Sequence, residues 1–210
     1  MGAIETMTKE GLGKGGKGKT GNPEPNKEKS NKEKIYQLRI SLSGSDPEIW
    51  RRVLVSGNET LGALHIIIQD AMGWDNGHLH EFIMKDARYA DREAALEGSR
   101  NEDRIHLYQV AARARSAFAY VYDFGDDWHH KIKVEKVLDR DERFLGKPVC
   151  VEGERACPPE DCGGLWGYYN KLEVLKNRKH PDYEDVVEWL GEDFDPDEFD
   201  LDKVTKRLGG

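Results

Sequence analysis

The chain has 210 residues, 37% hydrophobic and 34% charged, with a formal net charge of −8 at pH 7. No apolar run approaches the ~20 residues that span a bilayer and no signal-peptide core follows the start, which argues against a membrane or secreted protein and for a cytoplasmic one. The first 34 residues carry eight lysines against five glutamates, +3, so the remainder stands at −11, and an acidic body lacks the basic face that broad nucleic-acid binding requires.

Residues 1–34 read as a disordered Gly/Lys-rich tail, and 35–210 as one domain with all five tryptophans. Within the tail, GKGGKGKT (13–20) matches the phosphate-loop pattern literally. That pattern works only between a buried strand and a helix, and here TMTKEGL precedes it while Pro23 and Pro25 follow. Nucleic acid, if bound at all, is expected only through loose tail lysines.

IYQLRISLSG (35–44) and IWRRVLVSG (49–57) alternate and end in glycine, as neighbouring antiparallel strands do. Thr60 caps a helix whose apolar positions Leu61, Leu64, Ile68 and Met72 hold helical spacing until Gly73 stops it. His65 falls on the apolar face, as a packed, hydrogen-bonded histidine. HLHEFIMKD (78–86) reads as a strand and RIHLYQV (104–110) as another, with a polar helical or looped insert between them.

SAFAYVYDFGDDWHHKIKVEKVL (116–138) is the strongest hairpin signal. A three-residue loop, Gly125 to Asp127, would set Phe124 opposite Trp128, Tyr122 opposite His130 and Tyr120 opposite Ile132, with Asp123 and His129 paired on the other face. Helices follow at about 165–177, 181–190 and 200–208, with Asp195 to Glu198 reading as a capping box. Strands followed by helices give an α+β class: a β-grasp-like or roll antiparallel sheet, one helix after the first two strands, and a helical C-terminal third.

The stretches PEIWRRVLV, LHIIIQDAMGW, HLHEF, YVYDFGDDWHH, CVEGERACPPEDCGGLWGYY and WLGEDFDPDEFD, in that order, resemble the root-inducing plasmid (pRiA) ORF-three-like family over residues 35–208. The resemblance implies a compact α+β domain, frequent on plasmids and mobile elements, without an established activity. Some members are labelled transposon resolvases. A serine recombinase would need Tyr-x-Arg-x-Ser, whereas this chain has Tyr36, Arg39 and Ser41, one residue out of register and divided between two strand faces.

Several groups offer chemistry. Asp123, Asp126 and His130, with Trp128 beside them and His80 and Glu81 from HLHEF, are the set a metal-dependent hydrolase or nuclease would use. Turn chemistry and a buried polar network account for the same hairpin residues. Cys150, Cys157 and Cys162, with His78, His80, His129 or His130 as fourth ligand, are a candidate zinc set, although their spacing is unlike a Cys-x-x-Cys knuckle. Glu160 and Asp161 of PPEDCGG sit where they would cap the following helix and repel phosphate. The leading expectation is a non-enzymatic binding or accessory domain acting through a partner protein or small ligand.

Overall fold

A computed structural model describes residues 31–94, 96–140 and 146–209; the phosphate-loop match and nearly all of the expected tail lie outside them. Eight strands form one sheet: β1 (Ile35–Leu42), β2 (Trp50–Ser56), β3 (His80–Ile83), β4 (Arg88–Ala90), β5 (Ser99–Asn101), β6 (Ala117–Tyr122), β7 (Trp128–Leu138) and β8 (Val149–Glu154). Their order is β5-β4-β3-β6-β7-β1-β2-β8, antiparallel throughout except for the short parallel β4·β5 pair. Among the described residues five complete α-helices accompany it: α1 (Leu61–Met72), α2 (Leu107–Val110), α3 (Gly164–Leu175), α4 (Tyr183–Leu190) and α5 (Leu201–Gly209). The class is α+β.

Alternation decides which face of the sheet is buried. Tyr36, Leu38, Ile40 and Leu42 of β1, Tyr120 and Tyr122 of β6, and Trp128, Ile132 and Val134 of β7 enter one core with Leu61, Leu64, Ile68 and Met72 of α1. The opposite face carries Gln37, Arg39, Arg52, Lys131, Lys133 and Glu135 to solvent. There Arg52 grips Glu135 through Nε at 2.6 Å and Nη2 at 3.2 Å, which holds that carboxyl below its ordinary range. Arg39 lies 3.7 Å over the Trp50 ring and pairs with Glu48, so it has no catalytic posture.

Helix α1 follows its sequence signals. Thr60 accepts from the Ala63 N–H, and Gly73, at φ 91°, donates to Gln69 O. The acidic C-terminal segment is pinned by Phe199, which stacks under the Arg51 guanidinium at 4.7 Å, and by Phe194, which packs on the core. Trp189 stays 42% exposed beneath Lys171.

Three local expectations need correction. Residues 104–110 do not form a strand: a 3-10 turn (Glu102–Arg104) and α2 stand there. Asn101 Oδ1 accepts from Asp103 N, and Gln109 Oε1 accepts from His106 N, so the backbone finds local partners and needs no ladder. The insert before it supplies β4 and β5.

The hairpin register differs by two residues: Tyr122 faces Trp128, Tyr120 faces His130 and Phe118 faces Ile132. Asp123 and Asp127 adopt left-handed φ of 54° and 57°, and Asp127 N bonds Asp123 O at 2.6 Å, closing a wider turn that leaves Phe124 exposed. A slip of two preserves the buried face, which is why the hydrophobic pattern could not detect it. Finally, the Asp195 segment is a turn rather than a capping box. Asp200, whose Oδ1 accepts from Lys203 N, begins α5.

Candidate functional site

Strand alternation separates the residues expected to act together. His80 points into the core side and Glu81 to the other face, where Arg88 pairs with it at 3.1 Å. His130 is 1% exposed, against Tyr120 and Trp74. Its Nδ1–H donates to Trp128 O at 3.0 Å, leaving Nε2 a bare acceptor without a partner, and burial pushes its pKa down to about 3. Such an imidazole exchanges no proton with a substrate in water. Trp128 is likewise buried, with Nε1 unpartnered. Asp123 does not face His129, which instead pairs with Asp127 at 2.9 Å.

Asp126 has a structural task that also explains PPEDCGG. Its Oδ2 accepts from Gly163 N at 3.1 Å, and a Cβ on Gly164, at φ 66°, would stand 2.5 Å from the Asp126 carbonyl oxygen. The glycine pair therefore exists to let the α3 entrance close on the hairpin tip. Glu160 and Asp161 do not cap α3; the N-cap is Gly163, without a side-chain bond. Glu160 instead accepts from Asp75 N at 2.8 Å and from the Tyr122 hydroxyl, and Asp161 faces His78.

Among the described residues, the thiols offered as a zinc set do not come within 4.8 Å of one another as a group of three. Cys150 lies on β8, paired in register with Val53, whereas Cys157 and Cys162 precede α3. Burial raises Cys150 to about 11 and the other two to about 12, the behaviour of small core residues. Among the described residues, the group whose three potential ligand atoms fall within 4.8 Å is His78, Asp123 and Asp161.

What the fold does assemble is a polar cluster under the first turns of α1. His65 and His80 stack face to face, centroids 3.5 Å apart and planes 4° from parallel. His65 Nε2–H donates to Asn76 Oδ1 at 2.7 Å, and its Nδ1 accepts from the Tyr120 hydroxyl at 2.7 Å, which in turn accepts from Gln69 Nε2 at 3.0 Å. Burial, aided by the neighbouring His80, brings the His65 pKa down to about 4, so the ring is neutral and every one of its nitrogens is satisfied. His80 Nε2 donates to both oxygens of buried Glu102, at 3.1 and 2.9 Å.

This cluster floors a cleft of about 720 Å³ between α1, the start of β3 and the segment around residues 91–103. Among the described residues its charged lining side chains are Asp91, Glu102 and Asp103, with His65, His78 and His80 and no lysine or arginine. Asp103 sits so close to Gly62 that a Cβ there would meet its Oδ1 at 2.3 Å, and exposed Ile66 and Leu79 form an apolar edge. Of these residues the sequence singled out only His65, His78 and His80. Asp91, Glu102 and Asp103 come from the insert, and the one available signal was its density of acids.

Comparisons with known proteins agree with this architecture. The chain is 35% identical over 180 residues to the uncharacterized protein y4hQ of Sinorhizobium fredii, a match covering 83% of this chain and 90% of that one. The crystal structure of a protein of unknown function, MM3350 from Methanosarcina mazei Go1, superposes with a TM-score of 0.73 at 41% identity, covering 80% of this chain and 96% of that chain. A family model described as plasmid pRiA4b ORF-3-like protein matches residues 34–203. The chain belongs to the plasmid pRiA4b ORF-3-like family.

Proposed function

We propose that this protein is a non-enzymatic binding module whose cleft takes a cationic group, an ammonium or guanidinium presented by a partner protein or small ligand. The observation that carries the reading is the lining among the described residues: three carboxylates, no lysine or arginine, and a histidine floor. A cleft lined by one sign of charge concentrates counter-charged ligands, and the body's −11 extends that field. Glu102 is already engaged by His80, whereas Asp91, which accepts only from Glu93 N, and Asp103 pair with no cation among the described residues and can meet the ligand's charge while Ile66 and Leu79 take up apolar stems.

The hydrolase or nuclease reading finds less support, because Glu81 faces away from His80, Asp126 holds the α3 entrance and His130 is sealed in the core. The plasmid in the family's description favours an accessory role on a mobile element. Calorimetric titration of the full chain with spermidine and with an arginine-rich hexapeptide tests the proposal. Saturable, salt-sensitive binding weakened about tenfold by the Asp91→Asn, Asp103→Asn pair is expected, since both carboxylates are exposed and each such charge contact is worth up to roughly 1 kcal/mol. Equal binding by wild type and variant would refute it.

A further inference from the structure

Beyond the cleft, we propose that His78, Asp123 and Asp161 form a binding site for a divalent first-row transition ion such as Zn²⁺. His78 Nε2 stands 3.3 Å from Asp161 Oδ1 and 3.7 Å from Asp123 Oδ2. Both separations exceed the ~2.7–2.9 Å of a charge-assisted N–H···O bond. The shorter matches the edge of a tetrahedron, because ligand atoms at about 2.0–2.1 Å from Zn²⁺ lie about 3.3–3.4 Å apart, and the longer needs a closing of about 0.3 Å.

Asp123 supplies the independent reason. Its side chain is nine-tenths buried, and Oδ1 accepts from Gly125 N at 2.9 Å. Among the described residues Oδ2 accepts no hydrogen bond and pairs with no lysine or arginine, and it is turned toward His78. A carboxylate held largely out of water, with its second oxygen turned toward an imidazole and a second carboxylate, is an arrangement that a shared cation stabilises.

The three ligands come from three parts of the chain that the fold deliberately holds together. Asp123 N bonds Leu79 O at 2.9 Å, the His78 ring stands edge-on to Tyr122 at 5.8 Å, and Asp161 precedes the glycine pair docked on the hairpin tip. One imidazole and two carboxylates form a borderline N/O set, better suited to Zn²⁺ or Mn²⁺ than to the all-oxygen shells of Ca²⁺ or Mg²⁺. With three protein ligands, at least one position is left for water. His78 also lines the acidic cleft but Asp123 and Asp161 do not, so Asp161→Asn tests this site without touching the cleft lining.

The test is a competitive titration of chelator-treated full-length protein with Zn²⁺ against a chromophoric chelator. One equivalent should bind, and His78→Ala, Asp123→Asn and Asp161→Asn should each weaken affinity at least tenfold. Asp127→Asn, which alters only the His129 pair, and a Cys150, Cys157, Cys162 triple serine variant should bind as wild type does. The Co²⁺ form should show no thiolate charge-transfer band. Circular dichroism of the metal-free variants secures the fold, and Asp161→Asn, at an exposed position, serves if a variant at 78 or 123 unfolds. Failure to bind one equivalent, binding indifferent to Asp161→Asn, or binding lost in the cysteine variant would each overturn the site.

Discussion

Replacing Tyr120 by Phe removes one oxygen from a residue with no exposed surface and changes almost nothing in shape. That oxygen donates to His65 Nδ1 at 2.7 Å and accepts from Gln69 Nε2 at 3.0 Å, and both partners are buried, at 4% and 2% exposure. The variant therefore strands one acceptor and one donor where water cannot replace the hydroxyl. At about 1–3 kcal/mol for each unsatisfied buried group, less a modest gain from burying an apolar ring edge, the loss should be about 2–4 kcal/mol. Urea unfolding at pH 7.5, where His65 is neutral, measures it as a fall in midpoint at constant slope. A double variant that also replaces His65 by Leu should lose less than the sum of its singles, because the stranded acceptor goes with the histidine. A loss below about 0.5 kcal/mol, or strict additivity, would refute the claim that this hydroxyl ties the His65 floor to the sheet.

Acid should destabilise the protein through His65 and His130, whose folded pKa values of about 4 and about 3 lie below the ordinary 6.5. Between those values and 6.5 the unfolded chain binds more protons, so the stability these rings contribute is complete above about pH 6.5 and is lost as pH falls toward 4, by on the order of 3 kcal/mol each; unfolding midpoints from pH 8 to 4 check this, and a flat profile contradicts it. Gly164→Ala should cost about 1–2 kcal/mol for its left-handed φ plus about 1–3 kcal/mol for displacing the Asp126 carbonyl. Gly163→Ala, where the nearest atom is 3.6 Å away, should cost only the first part, and equal melting points would contradict the docking role of Gly164.

The parts of the fold that local chemistry dictates could be read from the chain. Thr60 and Gly73 bracket α1 because their side chain and backbone do the capping themselves, and the alternation in β1, β2 and β7 sets the buried face. The hairpin register escaped because Asp123 and Asp127 take left-handed conformations more typical of glycine, and a two-residue slip leaves the pattern unchanged. His65 lies where its helical spacing puts it. Its stacking on His80, and the His80–Glu102 pair 22 residues apart, are products of tertiary packing that no spacing rule encodes. Likewise His78, Asp123 and Asp161 meet only because Tyr122, Leu79 and the glycine pair bring three loops to one point.

Mapping amide shifts of ¹⁵N-labelled full-length protein during a spermidine titration shows whether the acid-lined cleft receives a cation. Saturable shifts confined to Gly62, Ala63, Asn76 to His78, Asp91 and Glu102 to Asp103, around the cleft lining, are expected. Shifts scattered over the acidic C-terminal segment, or none in the cleft at saturating spermidine, would contradict it.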